Sequence, residues 1–433
     1  MKQTGRLDGQ AKLLLLLNTL YISGIGLSNT FVNVHLWKEK HDFKMIGLFN
    51  LCTFLAIPIA FWLGGHLTKR WDRVLNIRLG MAVMACFYTT VLLLKTMVAA
   101  YIIPLGLLLG TGAGFYWFGY SLMYFEITEP NNRDVYNGAN GFLISAAAGF
   151  APFLAGWLLT RQASGYILIF SLSLAIFLAA IVASVFIKAR ACEGIFSMRS
   201  VWQETIMPSR WRQIVFAYIF WGMREGVTIF TIALLVFIVA KNEMAIGTYA
   251  LLTSAISLVA YYAIGKWIRP ERRSIFMLVG ALMLSVAFLP SLFSLRYSSL
   301  LWLGIITSFF YPFFAGPLIS TAFDVIGENM KKVHQRAEYI VMREFAFSTG
   351  RLGGTMLFLI VVTFTSRPQT IVMLLIALNL ILLASWLCIR SAYMKGKNEH
   401  ERTIHSSLFQ YDRPGVPRSG CSRSDARRGR NPS

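Results

Sequence analysis

Twelve times along the chain a run of about twenty or more mainly apolar residues is followed by a polar break. About 20 such residues are what an α-helix needs to cross a hydrocarbon core of roughly 30 Å. The pattern predicts an all-α integral membrane protein with helices near 12–37, 45–67, 76–94, 98–125, 137–160 and 165–187. After a charged break come six more, near 212–240, 245–267, 274–295, 299–322, 338–365 and 370–389. Composition agrees: 56% of the 433 residues are hydrophobic and 14% charged, where a soluble globular protein would carry roughly a quarter. The first run, Ala11 to Trp37, is longer than the apolar region of a secretory signal and has no small-residue cleavage pattern close behind it, so it reads as a retained first helix.

A formal charge of +21, from 41 Lys and Arg against 20 Asp and Glu, would suggest nucleic acid as the partner of a soluble protein. In a membrane protein the placement of the cations decides. With the N-terminus in the cytoplasm, 20 Lys and Arg fall in inside segments before the tail and eight outside, and ten more follow from Arg390 onward. Short-loop cation bias sets orientation, so a multi-pass protein of the cell (plasma) membrane with both termini cytoplasmic is expected and nucleic acid is not. Cys52, Cys86 and Cys388 fall inside apolar spans, Cys192 and Cys421 in polar stretches, and nothing suggests a disulfide framework.

Laying residues 21–80 over 221–280 without a gap gives nine identities. Their positions matter more than their number: Gly26 meets Gly226, Ile46-Gly47 meets Ile246-Gly247, Thr53 meets Thr253, Gly65 meets Gly265, Arg73 meets Arg273 and Gly80 meets Gly280. Two six-helix bundles in parallel repeat, offset by 200, follow. The expected organisation is an N-terminal bundle over 1–190, a cytoplasmic linker over 191–211 and a C-terminal bundle over 212–390. A polar, cationic, disordered tail over 391–433 completes it, with a further shift of composition after about Arg413.

Local motifs add a family resemblance over roughly residues 10–390. After the second span the chain reads Gly65, His66, Leu67, Thr68, Lys69, Arg70, Trp71, Asp72, Arg73; the corresponding loop of the second half keeps Gly265, Arg269, Glu271, Arg272 and Arg273. The fourth span carries Gly106, Gly110, Gly112, Gly114 and Gly119 and ends in Glu126, with Pro130 and Arg133 beyond; the fifth has Gly149, Pro152 and Gly156. These features resemble the major facilitator superfamily, whose loop after the second helix typically reads Gly-x-Leu-Ala-Asp-Arg-x-Gly-Arg. Here Lys69 replaces the acid and Asp72 the second glycine, and the Gly149–Pro152 spacing does not imply antiport. The resemblance implies two bundles around a central cavity, rocking between inward and outward access. Lys69, Arg70, Arg73, Arg269, Arg273 and Glu338 are then candidate gating residues. In the family the lost acid would face the start of helix eleven, so Lys69 or Arg70 is expected to meet Glu338 or Glu344 in a charge-swapped latch. The plainer alternative is that these charges only fix topology.

Five ionisable residues lie well inside apolar spans: Arg224 and Glu225 in the seventh, Arg343, Glu344 and Arg351 in the eleventh. Charges at such depth face the bundle interior or a wet cavity. Arg224 is a candidate for an anionic part of the substrate, on a helix that lines the cavity in the resembling family; Glu225 and Glu344 are candidate proton carriers. The alternative is a set of structural salt bridges, favoured for Glu344 by the nearness of Arg343 and Arg351. On the N-terminal side Asn29 and Asn33, one helical turn apart, and Trp117 and Tyr120 are candidate substrate contacts. Tyr311 joins them, beside Pro312, where a break in the tenth helix is expected.

No Gly-x-x-x-x-Gly-Lys-Ser/Thr run occurs, so the chain has no P-loop of its own, and no metal spacing or Gly-x-Ser-x-Gly elbow appears. The expectation is a proton-coupled secondary transporter of a small molecule, without cofactor or metal, acting as a monomer among membrane lipids. Efflux of amphipathic compounds and uptake of a small polar or anionic nutrient both fit. A membrane enzyme acting on lipid-linked substrates, and a non-transport sensor, are the alternatives from other classes.

Overall fold

The computed structural model describes residues 7–127, 133–162, 164–188, 196–267, 272–328, 330–365 and 367–392. Among them are twelve helices long and apolar enough to span a membrane, at the predicted places with ends shifted by a few residues. They are α1 (Gly9–Lys40), α2 (Phe43–Arg70), α3 (Arg73–Leu94), α4 (Ile102–Ile127), α5 (Arg133–Arg161) and α6 (Gly165–Ser184). The second six are α7 (Arg210–Ala240), α8 (Glu243–Trp267), α9 (Arg273–Val286), α10 (Tyr297–Ile326), α11 (Arg336–Phe364) and α12 (Pro368–Leu380). A short turn separates α9 from a last piece, Leu289–Phe293, that completes the ninth span, and the twelfth runs on to Ala392. Between α6 and α7 the described part of the linker carries a short helix, Arg199–Ile206. The rest of the 391–433 tail, residues 189–195 of the linker region and Arg269 lie outside the described residues.

An even number of crossings brings Leu7 and Ala392 to one face, the terminal face; the opposite one is the far face. The terminal face is tied together where Gln10 at the start of α1 accepts the Lys188 N–H (2.9 Å) and donates to the Phe186 carbonyl (3.3 Å) just after α6.

The helix starts are chemically marked. Asp8, Asp42, Asp72 and Ser209 each accept a backbone N–H of the first turn of α1, α2, α3 and α7, satisfying donors that the helix itself leaves open. The α1–α2 and α7–α8 turns repeat each other at an offset of 200. His41 and Lys241 both take left-handed backbone (φ 52° and 53°). Their N–H groups bond Trp37 and Phe237 carbonyls at 2.7 Å each. The next residues, Asp42 and Asn242, accept Lys44 and Met244 N–H at 2.8 Å each.

The same offset governs packing. A Cβ added at Gly26 would meet Ala151 of α5, and one added at Gly226 would meet Arg351 of α11, the residue 200 positions on. Between the halves, Gly47 of α2 lies against Phe358 and Leu359 of α11, and Gly247 of α8 lies against Pro152 and Phe153 of α5. Small residues at these crossings let backbones approach closely, the main source of helix association where lipid offers no hydrophobic drive. The two halves therefore meet along two symmetry-related seams, α2 with α11 and α5 with α8.

One local expectation is corrected. The tenth helix does not break at Tyr311–Pro312: α10 is continuous through Pro312 and Pro317. Pro312 has no N–H for the carbonyl four residues earlier, Ser308, and the Ser257 hydroxyl of α8 donates to that carbonyl instead (3.3 Å). A neighbouring helix has supplied the missing donor, the usual way a spanning helix tolerates proline.

Candidate functional site

A cavity of about 360 Å³ lies between the halves. Its N-terminal wall is uncharged and mixed: the polar groups are Asn29 and Asn33 from α1, Asn50 and Thr53 from α2 and Ser121 from α4, set among Tyr21, Phe54, Trp117 and aliphatic side chains such as Ile22, Ile25 and Ile57. Its C-terminal wall carries Ile229 and Phe230 from α7 and the charged face of α11, Arg343, Glu344 and Arg351.

The helical hairpin α1–α2 brings together residues nearly equidistant from its turn at His41. Asn50 donates to the Asn33 side-chain oxygen (2.9 Å) and to the Ile46 carbonyl (2.8 Å), while Asn33 donates to the Asn29 carbonyl (3.4 Å). Asn33 and Asn50 thus hold each other. No partner is found among the described residues for the Asn29 amide, which faces the cavity.

On α11 the three charges are not equivalent. Glu344 accepts from Arg351 at 3.1 Å and from the Ser348 hydroxyl at 3.3 Å. Arg351 also stacks over Phe347 (4.0 Å to the ring centre) and Phe54 of the opposite half (5.6 Å). Arg343 has no carboxylate partner among the described residues; its guanidinium lies over the rings of Phe323 (5.3 Å) and Tyr218 (5.8 Å). Two cations and one anion leave the charged wall one positive charge in excess.

Contacts between the halves lie on both sides of the cavity. Toward the terminal face Phe61, Phe118 and Leu122 pack with Phe196 of the linker and Ile340 and Val341 of α11. Below that plug the Glu126 carboxylate at the end of α4 takes Arg73 from its own half and Arg336 from the other, the latter at 2.8 Å. Phe125 meets Phe323 edge-on with ring centres 5.0 Å apart. Toward the far face Phe43, Phe230 and Phe358 form a chain of ring contacts, and Lys38 pairs with Glu243 over the ring of Tyr166.

Of the substrate contacts expected from the sequence, Asn29, Asn33 and Trp117 line this cavity together with Glu344, whereas Tyr120, Arg224 and Tyr311 are not among its lining residues. Tyr120 is buried against Tyr116 and hydrogen-bonds Tyr136 (3.2 Å). Arg224 and Glu225 form a second polar cluster inside the C-terminal half. Arg224 donates to Glu225 (2.5 Å) and to Asn379 of α12 (3.2 Å) and lies over Tyr311 (5.4 Å), and Trp221 donates to Glu225 (3.3 Å).

The gating candidates are placed differently from the expected latch. Glu338 is buried and accepts the Ser197 N–H (3.4 Å), Glu344 is held by Arg351, and Arg70 is exposed. Lys69 is half-buried at the end of α2. Arg273 pairs with Asp324 at 2.5 Å. Among the described residues the ion pair joining the halves at the terminal face is made by Arg336 on Glu126, with Arg73 on the same carboxylate. The sequence marked Glu126 only as the end of a motif and Thr53 only as a repeat position, and it did not single out Asn50 or Ser121. The signal available was hairpin symmetry for Asn50, and for Arg343 its i, i+4, i+8 relation to Phe347 and Arg351 on one helix face.

The model of the Major Facilitator Superfamily matches residues 14–333. The uncharacterized protein YqgE of Bacillus subtilis (strain 168) is 40% identical over 365 residues, covering 83% of this chain and 85% of that protein. Two solved structures share the fold at low identity. The nucleoside transporter NupG superimposes with a TM-score of 0.66 at 12% identity, over 88% of this chain and 99% of its own. The human organic anion transporter MFSD10 (TETRAN) does so with 0.64 at 13%, over 88% and 100%. The family is one of transporters, which sets the membrane-enzyme alternative aside. Twelve spans in two repeated halves around a cavity, with the family model covering most of the chain, make this protein a secondary transporter that belongs to the Major Facilitator Superfamily.

Proposed function

We propose that the protein carries a small organic anion across the cell membrane by alternating access, coupled to protons through Glu344. The observation that carries this reading is the asymmetry of the cavity: a wall of amides and aromatic rings faces an α11 surface on which Arg343 lacks a carboxylate partner among the described residues. An uncompensated guanidinium at membrane depth is costly unless a wet cavity or an anion receives it. A carboxylate or similar group on the solute would bind Arg343 and the neutral body of the solute would lie against Asn29, Trp117 and Tyr21. This replaces Arg224 as the anion ligand, because Arg224 is already taken by Glu225 and Asn379.

Glu344 is the better placed of the two proton candidates. It lines the cavity between Arg343 and Arg351, and when the solute anion held by Arg343 also draws on Arg351, the Glu344 carboxyl is released to take up a proton. Glu225 lies in the separate cluster and serves structure. The test is solute-driven proton flux into proteoliposomes bearing an internal pH-sensitive dye, with a panel of organic anions. Flux in the wild type and in Glu225→Gln, but none in Glu344→Gln, which still exchanges labelled solute, is the expected result. Equal proton flux in Glu344→Gln, or solute exchange unchanged in Arg343→Gln, would overturn the assignment.

Alternating access requires the terminal-face and far-face contacts to break in turn. With the terminal face cytoplasmic, Arg336 on Glu126 holds the inner gate shut. Arg336→Ala should raise the labelling rate of a cysteine at position 121 by membrane-impermeant thiol reagents applied from that face, in a chain otherwise free of cysteine. The expected gain is about 5–30-fold, as for a gate loosened by one or two kcal/mol.

A further inference from the structure

Outside the solute cavity, a second hollow of about 800 Å³ opens on the side of the bundle over the outer face of α11, between α2 and α7. Its lining is almost wholly apolar. Leu55, Pro58, Ile59 and Trp62 come from one face of α2, at spacing i, i+3, i+4, i+7, and Val215, Phe216 and Ile219 from α7. At the helical rise, Trp62 is ~12 Å and Leu55 ~22 Å from the α2 end at Arg70, so the groove runs from the edge of the terminal-face leaflet to about the bilayer midplane. Leu55, Ile59, Trp62 and Phe216 are exposed large side chains of the protein.

The terminal end of the groove is built differently. The short helix Arg199–Ile206 roofs it with Trp202 and Thr205. Its polar side is fastened to the start of α11: Glu204 accepts from Lys332 (2.9 Å) and Tyr339, and Ser200 accepts from Gln335 (2.9 Å). Its other side presents Trp202, Ile206 and, one residue on, Met207, 53%, 62% and 62% exposed, with Arg199 beside them. An amphipathic helix with an exposed Trp and cation is suited to the headgroup boundary. At the two rims a cationic or imidazole side chain stands one turn beyond a groove-lining ring. Arg212 lies over Phe216 (5.6 Å) and donates to the Ile206 carbonyl, with no carboxylate partner among the described residues, and His66 lies edge-on to Trp62 (4.6 Å).

We infer that this groove is a binding site for one anionic glycerophospholipid of the terminal-face leaflet, an acyl chain lying along α2, α7 and α11 and the phosphate held at the mouth by Arg212 and His66. The linker helix is the lid that joins chain and headgroup portions of the site. Because the lipid touches α2 of one half and α7 and α11 of the other, its occupancy tunes the seam that must open at the terminal face.

The test uses the full chain in phosphatidylcholine vesicles containing either brominated phosphatidylglycerol or brominated phosphatidylcholine at equal bromine content. Subtracting the fluorescence of Trp202→Phe from that of the wild type isolates Trp202. The expected result is quenching of Trp202 several-fold stronger with the anionic brominated lipid, and loss of that preference in Arg212→Gln. Equal quenching by the two lipids, no quenching by either, or a preference unchanged in Arg212→Gln would overturn the site. Should a variant fail to reconstitute, wild-type protein alone decides by native mass spectrometry from an equimolar mixture of the two unbrominated lipids. Preferential retention of one phosphatidylglycerol supports the site and equal retention overturns it.

Discussion

Replacing Arg224 with alanine is expected to destabilise the protein by about 3–5 kcal/mol, the cost of leaving a buried partner charge uncompensated. Arg224 is 4% exposed, and its guanidinium is the cation that Glu225 meets at 2.5 Å at membrane depth. Removing it takes from the Glu225 carboxylate its cation, leaving the Trp221 N–H as a donor, and takes from the Asn379 oxygen the Arg224 donor. The double variant Arg224→Leu with Glu225→Gln removes both charges and should recover most of the loss, because a neutral pair of similar volume carries no desolvation penalty. Thermal unfolding in detergent, monitored by circular dichroism, measures the first effect, and solute uptake by the double variant should stay near wild type. A folded, stable Arg224→Ala protein that no longer binds solute would instead return Arg224 to the substrate site.

The second large effect is expected at Gly226→Leu. A Cβ there would fall inside contact distance of the Arg351 backbone, and Gly222, Gly350 and Gly354 make the same close crossing from their own sides. Backbone cannot swing aside as a side chain can, so α7 and α11 must separate along the length that carries Arg343, Glu344 and Arg351. The expected cost is about 3 kcal/mol or more, at the upper end of overpacking penalties, read as loss of a monodisperse peak in size-exclusion chromatography. A Cβ added at Gly353 of α11 would meet nothing within 4 Å, so Gly353→Ala should be neutral or stabilising by about 0.5–1 kcal/mol, as glycine is a poor helix former. Equal behaviour of the two variants would refute the packing argument.

The family, the twelve spans and the repeat were legible in the chain because each rests on a local or periodic signal. A membrane helix must satisfy its own backbone, so span length and hydropathy announce it without reference to neighbours. The offset of 200 was visible in Gly26, Gly47 and Gly80, residues the crossings require to be small, and it reappears in the paired turns at His41 and Lys241. Depth in an apolar run likewise marked all five intramembrane charges as inward-facing.

Which charge meets which could not be read that way. Adjacent positions such as Arg224 and Glu225 leave the helix about 100° apart, yet the length of the arginine side chain lets the two pair directly. Lys69 and Arg70 looked like the latch because the family places an acid there, while Arg336 reaches Glu126 across the halves, 210 residues away in sequence. Thus the sequence by itself determined the class of protein, the number of crossings and the twofold internal repeat, since these follow from backbone hydrogen bonding and helix periodicity. The partition of charges into a central cavity, a cluster inside the C-terminal half and an ion pair across the halves was decided only by the tertiary structure, because it depends on which helices the close glycine crossings bring together.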